Sequence, residues 1–391
     1  MPNERPSAHW LGSSALQPGV LDDQIQAVLS RANFRHLEKV ALAARLQDKA
    51  ITDSNLTCII DPSAFAHGFN NVIFEVAFSD SVYWIARIQH VTIDASEAED
   101  NTADLLSDIT TMRVIKERTT IPVPTVHAYD VSPSNEVGYP YVLMEALPGR
   151  ILGGPIAKQV PLEHLPKVAK QLAGVLFQLH ARLAFERLGR LWSGDDGNGP
   201  VEWFYAERQE DNRQALQSHY QDKEWLAACW VLKTAVSHII IEPRLRGPFP
   251  LCHLDLHYGD ILFDDDYNLT GVIDWSGAQT VPLERLAVSP EFITFPAGLA
   301  EVNTSIVAFR ELVREQLRLL ENSRQGDEGE QIPQSTFSDL FGTRRAEITH
   351  RCTYSRPYRA LWDGRMVAKL IYGIHVSWTQ LVDAYGETEL C

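Results

Sequence analysis

Long apolar runs are missing from this 391-residue chain. No stretch approaches the roughly 18–20 uninterrupted apolar residues that span a bilayer, so no membrane partner is expected. Positive charge is also scarce, with 35 Lys and Arg against 51 Asp and Glu. An acidic chain without a long basic run binds a polyanion poorly, which disfavours nucleic acid as a partner. Only five cysteines occur, Cys58, Cys229, Cys252, Cys352 and Cys391, odd in number and without CxxC spacing. They read as reduced thiols rather than a disulfide framework. The opening MPNERPSAHWLGSSALQPG lacks the basic-then-apolar order of a secretory signal. A cytoplasmic location is therefore expected. No repeat of 20–50 residues is evident. What is present is ordinary globular composition, 45% hydrophobic and 22% charged, in a chain long enough for more than one domain.

Apolar positions recur at helical spacing from Leu21 to Leu46, predicting one or two helices within an N-terminal extension over 1–50. Two β-rich runs follow, Val72–Phe78 and Val82–Ile88, and Ser79-Asp80-Ser81 between them reads as a hairpin. The acidic segment Asp94–Asp104 reads as a solvated connection, and Leu105–Lys116 as a helix that stops before Ile121-Pro122-Val123-Pro124. Tyr139–Met144 is a short strand ahead of Pro148-Gly149. Beyond it Leu165, Val168, Ala169, Leu172, Val175, Leu176 and Leu179 share one helix face, and most of the remainder is helical by pattern. The polar stretch Asn322–Thr336 reads as a mobile loop. The fold class is thus α+β, a small β-rich part over 51–147 followed by a larger, mainly helical part over 148–391.

The chemistry concentrates in LCHLDLHYGDILFDDDYNLTGVIDWSGAQTVPLERL, Leu251–Leu286. Ile261-Leu262-Phe263 and Leu269–Ile273 flank a turn of Asp and Asn, which predicts a hairpin. With Phe263 opposite Leu269, side-chain alternation puts Asp260 and Asp274 on one face, within reach of a single hard cation. Asp255 lies in the loop leading to that end. Three gathered carboxylates repel one another unless a divalent ion offsets them. A general base beside two Mg²⁺-holding oxygens is a phosphoryl-transfer arrangement. His253 reads as a support for the loop and His257 as a solvated side chain. His253-x-Asp255-x-His257 also has the donor types of a transition-metal site, but no further His or Cys follows at a partner spacing.

His253-x-Asp255-x-x-x-x-Asp260 followed by Ile273-Asp274-Trp275 resembles the motif of the aminoglycoside phosphotransferase-like kinases, written HGDxHxxN…(I/F)D. The flanking PLERLAVSPEF resembles the fungal branch of that family. The resemblance extends over about Ser63–Leu286 and implies a protein-kinase-like two-lobed fold. It implies that Asp255 accepts the substrate hydroxyl proton and that Asp260 and Asp274 hold Mg²⁺. Gly68, Phe69 and Asn70 would cover the ATP phosphates, and backbone around Glu145 and Leu147 would pair with the adenine edge. Arg87 would contact phosphate and pair with Asp108. Four positions depart from the family pattern: Asp260 for Asn, Arg87 for Lys, Asp108 for Glu, and Leu254 for a small residue. Arg can grip phosphate bidentately but has a different stem from Lys.

The expected activity is ATP- and Mg²⁺-dependent phosphorylation of a hydroxyl on a small molecule, with a specialised metabolite as the candidate acceptor. Two alternatives stand beside it. One is an inactive kinase-shaped protein that binds nucleotide or metabolite. The other is an ATP-independent metabolite cyclase or isomerase on the same fold.

Overall fold

The computed structural model describes residues 5–47, 55–90, 95–192, 199–240, 245–295, 298–328, 336–353 and 357–387. By contacts the chain divides into two compact units. The first comprises Met1–Arg150 together with Leu262–Asp264 and Thr270–Ser276; the second comprises Ile151–Ile261, Asp265–Leu269 and Gly277–Cys391.

In the first unit, helices α1 (Val20–Arg31) and α2 (Phe34–Arg45) precede strands β1 (Cys58–His67), β2 (Asn71–Phe78) and β3 (Tyr83–Gln89). Helix α3 (Ala95–Arg118) and strands β4 (Val126–Asp130) and β5 (Tyr141–Glu145) follow. The strands form one five-stranded sheet in the order β1-β2-β3-β5-β4. Its pairings are antiparallel. The β2–β3 hairpin closes at Ala77↔Tyr83, as the Ser79-Asp80-Ser81 turn predicts. Period-two alternation then sorts the faces. Val72, Phe74, Val76, Trp84, Ala86 and Ile88 are buried against Ile25 and Val28 of α1 and Leu37 and Ala41 of α2. Phe34 meets Phe74 edge to face at 4.9 Å. On the other face, Ile85, Val142 and Met144 pack with Leu105 and Ile109 of α3.

Two sequence expectations need correction. The acidic segment around 95–104 is not a loose connection but the first turns of α3. Carboxylates near a helix N-terminus are favoured by the macrodipole, so acidity there reads as easily as helix entry. Likewise, Asn322–Glu328 continues a long helix, Ala300–Glu328, and only 329–335 of the expected loop lie outside the described residues. Arg, Gln and Glu are good helix formers, and they outweigh the single Gly326.

The second unit contains α4 (Leu165–Ala181), β6 (Ala184–Phe185), α5 (Pro200–His219), α6 (Lys223–Ile239) and β7 (Phe249–Cys252). Strands β8 (Ile261–Phe263) and β9 (Leu269–Val272), which fall mostly in the first unit, pair as the predicted hairpin, and β10 (Gln279–Thr280) of the second unit joins a small sheet ordered β10-β7-β6. Helices α7 (Ala300–Glu328), α8 (Arg344–Thr353), α9 (Ala360–Tyr372) and α10 (Trp378–Tyr385) complete the unit. The predicted stripe on α4 is buried throughout. Among the described residues no helix is long and apolar enough to cross a membrane.

Candidate active site

The first unit assembles a polar group from three distant stretches of chain. Arg87 extends from β3, where its partner across the strands is Ile73 on one side and Val142 on the other. Asp108 lies on α3 within the stripe Leu105, Ile109 and Met112, and only 3% of it is exposed. A carboxylate in an apolar stripe requires partners, because an unpaired buried charge is expensive. It has Arg87, whose Nη2 stands 3.5 Å from Asp108 Oδ2, and Ser276, whose Oγ stands 3.0 Å from the same oxygen. The shorter contact of Arg87 is to Ser276 Oγ, at 2.7 Å. Ser276 Oγ is also 2.8 Å from Asp274 Oδ1.

Asp274 itself is exposed and sits at φ +55°, a left-handed conformation uncommon outside glycine. Its neighbour Trp275 is 1% exposed and donates its indole N–H to Val272 O at 3.0 Å. The indole is anchored inward while the preceding residue turns outward. Arg87, Asp108 and Asp274 therefore come together, around a serine that the sequence reading did not single out.

Elsewhere in the first unit, Gly68-Phe69-Asn70 form the β1–β2 turn, closed by Gly68 N–H on Asn71 O at 2.9 Å. Phe69 is 88% exposed. Glu145 ends β5. Its amide donates to Thr125 O at 2.8 Å, and its carboxylate accepts from Thr125 N–H and Oγ1 and from Lys116. Burial alone would raise this carboxyl, but those donors outweigh it and hold it below its ordinary value. Leu147 follows, half-buried, ahead of Gly149 at φ +99°. A Cβ on Gly149 would stand 2.3 Å from Thr270 Oγ1 and 2.7 Å from Phe263 O, so only glycine fits this turn.

The second unit carries the loop from His253 to Asp260, leaving the end of β7. His253 is buried, and Asp255 is half-buried in a turn with Leu254. The loop is pinned at both ends by buried charged groups. Arg285, fully buried, donates to Leu254 O at 3.2 Å and to Val288 O at 3.4 Å, and its Nη1 lies 2.6 Å from His350 Nδ1. Burial, followed by the charges of Arg285, Arg351 and Arg359, keeps His350 far below its ordinary value. A neutral imidazole can then accept from Arg285. At the other end, Glu291 accepts from Tyr258 N–H at 3.1 Å and from Ile156 N–H at 2.7 Å. Burial pushes its carboxyl up to about 7.

His257 is not simply solvated. Its Nδ1 lies 3.0 Å from Asp260 Oδ2 and also 3.0 Å from the Gly259 N–H. One nitrogen cannot donate to the first and accept from the second. The charged partner decides it: hydrogen bonding to Asp260 raises His257 to about 9, so Nδ1 carries a proton and points it at the carboxylate. Asp260 also accepts from the His257 backbone N–H at 3.2 Å. Carboxylate oxygens at 260 and 274 are the donor type for a hard divalent cation. Among the described residues no group of three or more His, Cys, Asp or Glu is placed to hold a metal ion. The transition-metal alternative for His253-x-Asp255-x-His257 therefore has no such cluster behind it.

Arg285, Glu291, His350 and Ser276 are the residues that sequence reasoning missed. Arg285 and Glu291 had a signal, since charges interrupt the apolar positions of PLERLAVSPEF. Ser276 had none.

No curated protein matches the chain. Among solved structures it is similar to a protein from Ralstonia eutropha assigned as an aminoglycoside phosphotransferase. That likeness has 13% identity and a TM-score of 0.52, and covers 91% of this chain and 99% of that one. A Thermobifida fusca protein assigned as a fructosamine-3-kinase is similar at 17% identity and a TM-score of 0.50, covering 88% and 97% respectively. These likenesses show a kinase-like α+β fold. Residues 63–317 match the family described as phosphotransferase enzymes (APH), and with well over half its length so matched, this chain belongs to that family.

Proposed function

We propose that the protein is an ATP- and Mg²⁺-dependent kinase that phosphorylates a hydroxyl group of a small molecule. In this reading Asp255 takes the proton of the attacking hydroxyl. Asp260 and Asp274 hold Mg²⁺, which when bound neutralises charge on the phosphates. Arg87 contacts phosphate under the Gly68-Phe69-Asn70 turn, with Asp108 holding its guanidinium. Backbone groups around Glu145 and Leu147 pair with the adenine edge, Glu145 without its amide, which is spent on Thr125 O. The observation that carries the reading is the meeting of Arg87 with Ser276, 189 positions away, beside Asp108 and Asp274. Family membership supports phosphoryl transfer as the chemistry.

The His257–Asp260 pair favours a second reading, binding without transfer, because it occupies a carboxylate that the kinase needs for metal. One set of measurements separates them. Asp255→Asn should bind ATP with Mg²⁺ as the wild type does, by calorimetry. It should lose roughly 10²–10⁴-fold in turnover, the usual worth of a positioned base. Turnover would be followed by mass spectrometry of a metabolite library for single phosphoryl adducts. ATP binding with no adduct from any acceptor would leave the binding-only reading standing.

A further inference from the structure

Glu75 is a carboxylate in the middle of β2, only 4% exposed. Such a group is costly to bury without donors. Both of its oxygens are served by the start of the chain. Arg5 Nε and Nη2 donate to Oε1 at 2.9 and 2.6 Å, and the Ser7 N–H donates to Oε2 at 3.0 Å. The 3₁₀ turn Pro6–His9 buries no residue of its own, so Glu75 is the main anchor of this N-terminal strap. Strap and strands enclose a cavity of about 310 Å³, lined by Arg5, Ser7, Ile59, Glu75, Ala77 and Tyr83 among others. That is the lower end of the range for small-molecule sites. The strap walls this space and does not fill it. Across β2 and β3, Ile73 faces Arg87, Glu75 faces Ile85 and Ala77 faces Tyr83. Side-chain alternation therefore puts Glu75, Ala77 and Tyr83 on the same face of the sheet as Arg87. Tyr83 is four residues from Arg87, about 13 Å at about 3.3 Å per residue. Its neighbour Trp84 pairs with Glu145, so the cavity is level with the end of β5.

We propose that this cavity receives the nucleoside end of the nucleotide, and that Arg5 and Ser7, anchored on Glu75, form its outer wall. The proposal rests on the kinase reading of Arg87 and of the backbone around Glu145 and Leu147. With the terminal phosphate at Arg87, a triphosphate and its ribose bridge the distance to Tyr83. The base then turns its edge toward the end of β5 and lays its face against Ala77. A guanidinium has five N–H donors, and Arg5 commits two of its groups to Glu75. Its remaining donors face the oxygens of the ribose. Glu75 is a positioning residue in this arrangement, because its own oxygens are spent on the strap. Holding the wall in place before the nucleotide arrives removes part of the ordering cost of binding.

The test compares AMP-PNP with inorganic tripolyphosphate, both with Mg²⁺, by calorimetry on the full chain. Arg5→Met frees the strap, and Ala77→Leu fills the cavity without touching the Arg5–Glu75 pair. Arg5→Met should weaken AMP-PNP about fivefold, the worth of ordering a single side chain. Ala77→Leu should weaken it about tenfold or more, because the added branch meets the base. Neither should change tripolyphosphate, which has phosphates but no nucleoside. Arg5→Lys, which keeps a donor for Glu75, should fall between Arg5→Met and wild type. Urea unfolding of the ligand-free variants checks that each is folded. Unchanged AMP-PNP affinity in folded Arg5→Met and Ala77→Leu refutes the nucleoside site while the kinase reading survives. An equal loss of tripolyphosphate also refutes it, since the effect would not belong to the nucleoside. A wild type that binds neither ligand removes the kinase reading, and this inference with it.

Discussion

The loop bearing Asp255 and Asp260 is pinned from behind by Arg285 and Glu291, both buried, whereas the group around Asp274 turns on one half-exposed hydroxyl. Buried charged groups with several partners are costly to rearrange, so the first region is stiff. At Ser276 a single proton faces two carboxylate oxygens, so the second can adjust. A phosphoryl-transfer site has use for both: a base must not wander, while the groups that meet phosphate and metal must accommodate their arrival.

The sharpest break in that contrast comes from Arg285. Replacing it with Met removes the donor to Leu254 O and Val288 O, and should destabilise the protein by about 3 kcal/mol in urea titrations. A loss below about 1 kcal/mol would mean the loop is not held there. Next is Glu291, through pH. Its folded carboxyl lies at about 7, above the ordinary value of 4.5. The folded state therefore keeps a proton that the unfolded state gives up. The resulting stability is fully present below about pH 4.5 and is lost as pH rises through about 7, with at most about 3 kcal/mol at stake. Glu291→Gln should flatten stability across that window. A slope unchanged by the substitution would remove Glu291 as its source. Smallest is Gly149→Ala in the first unit, which should cost about 2 kcal/mol from positive φ and crowding against Thr270 and Phe263. Its effect is steric, so thermal melts should show the same loss at pH 5 and pH 8.

The fold was legible where periodicity was clean. The β2–β3 hairpin, α4 and the β8–β9 hairpin each follow from local alternation or helical spacing that the tertiary structure did not override. Periodicity says nothing where a segment is uniformly polar, as at 95–104 and 322–328, and there the helices were missed. In the site, the Arg87–Asp108 pair was expected only from the family resemblance, and the structure places the two side chains 3.5 Å apart. His257 was misjudged because its partner, Asp260, sits three residues on in a turn whose geometry the sequence does not specify.

Taken alone, the order of residues determined which stretches become strand or helix and which acids stand in the 253–275 segment, since those depend on neighbours along the chain. Only the tertiary structure decided that Ser276 lies between Arg87, Asp108 and Asp274, and that Arg285 and Glu291 brace the loop. A hydrogen bond between residues up to 189 positions apart depends on packing the whole unit, because its donors and acceptors leave no mark on local pattern.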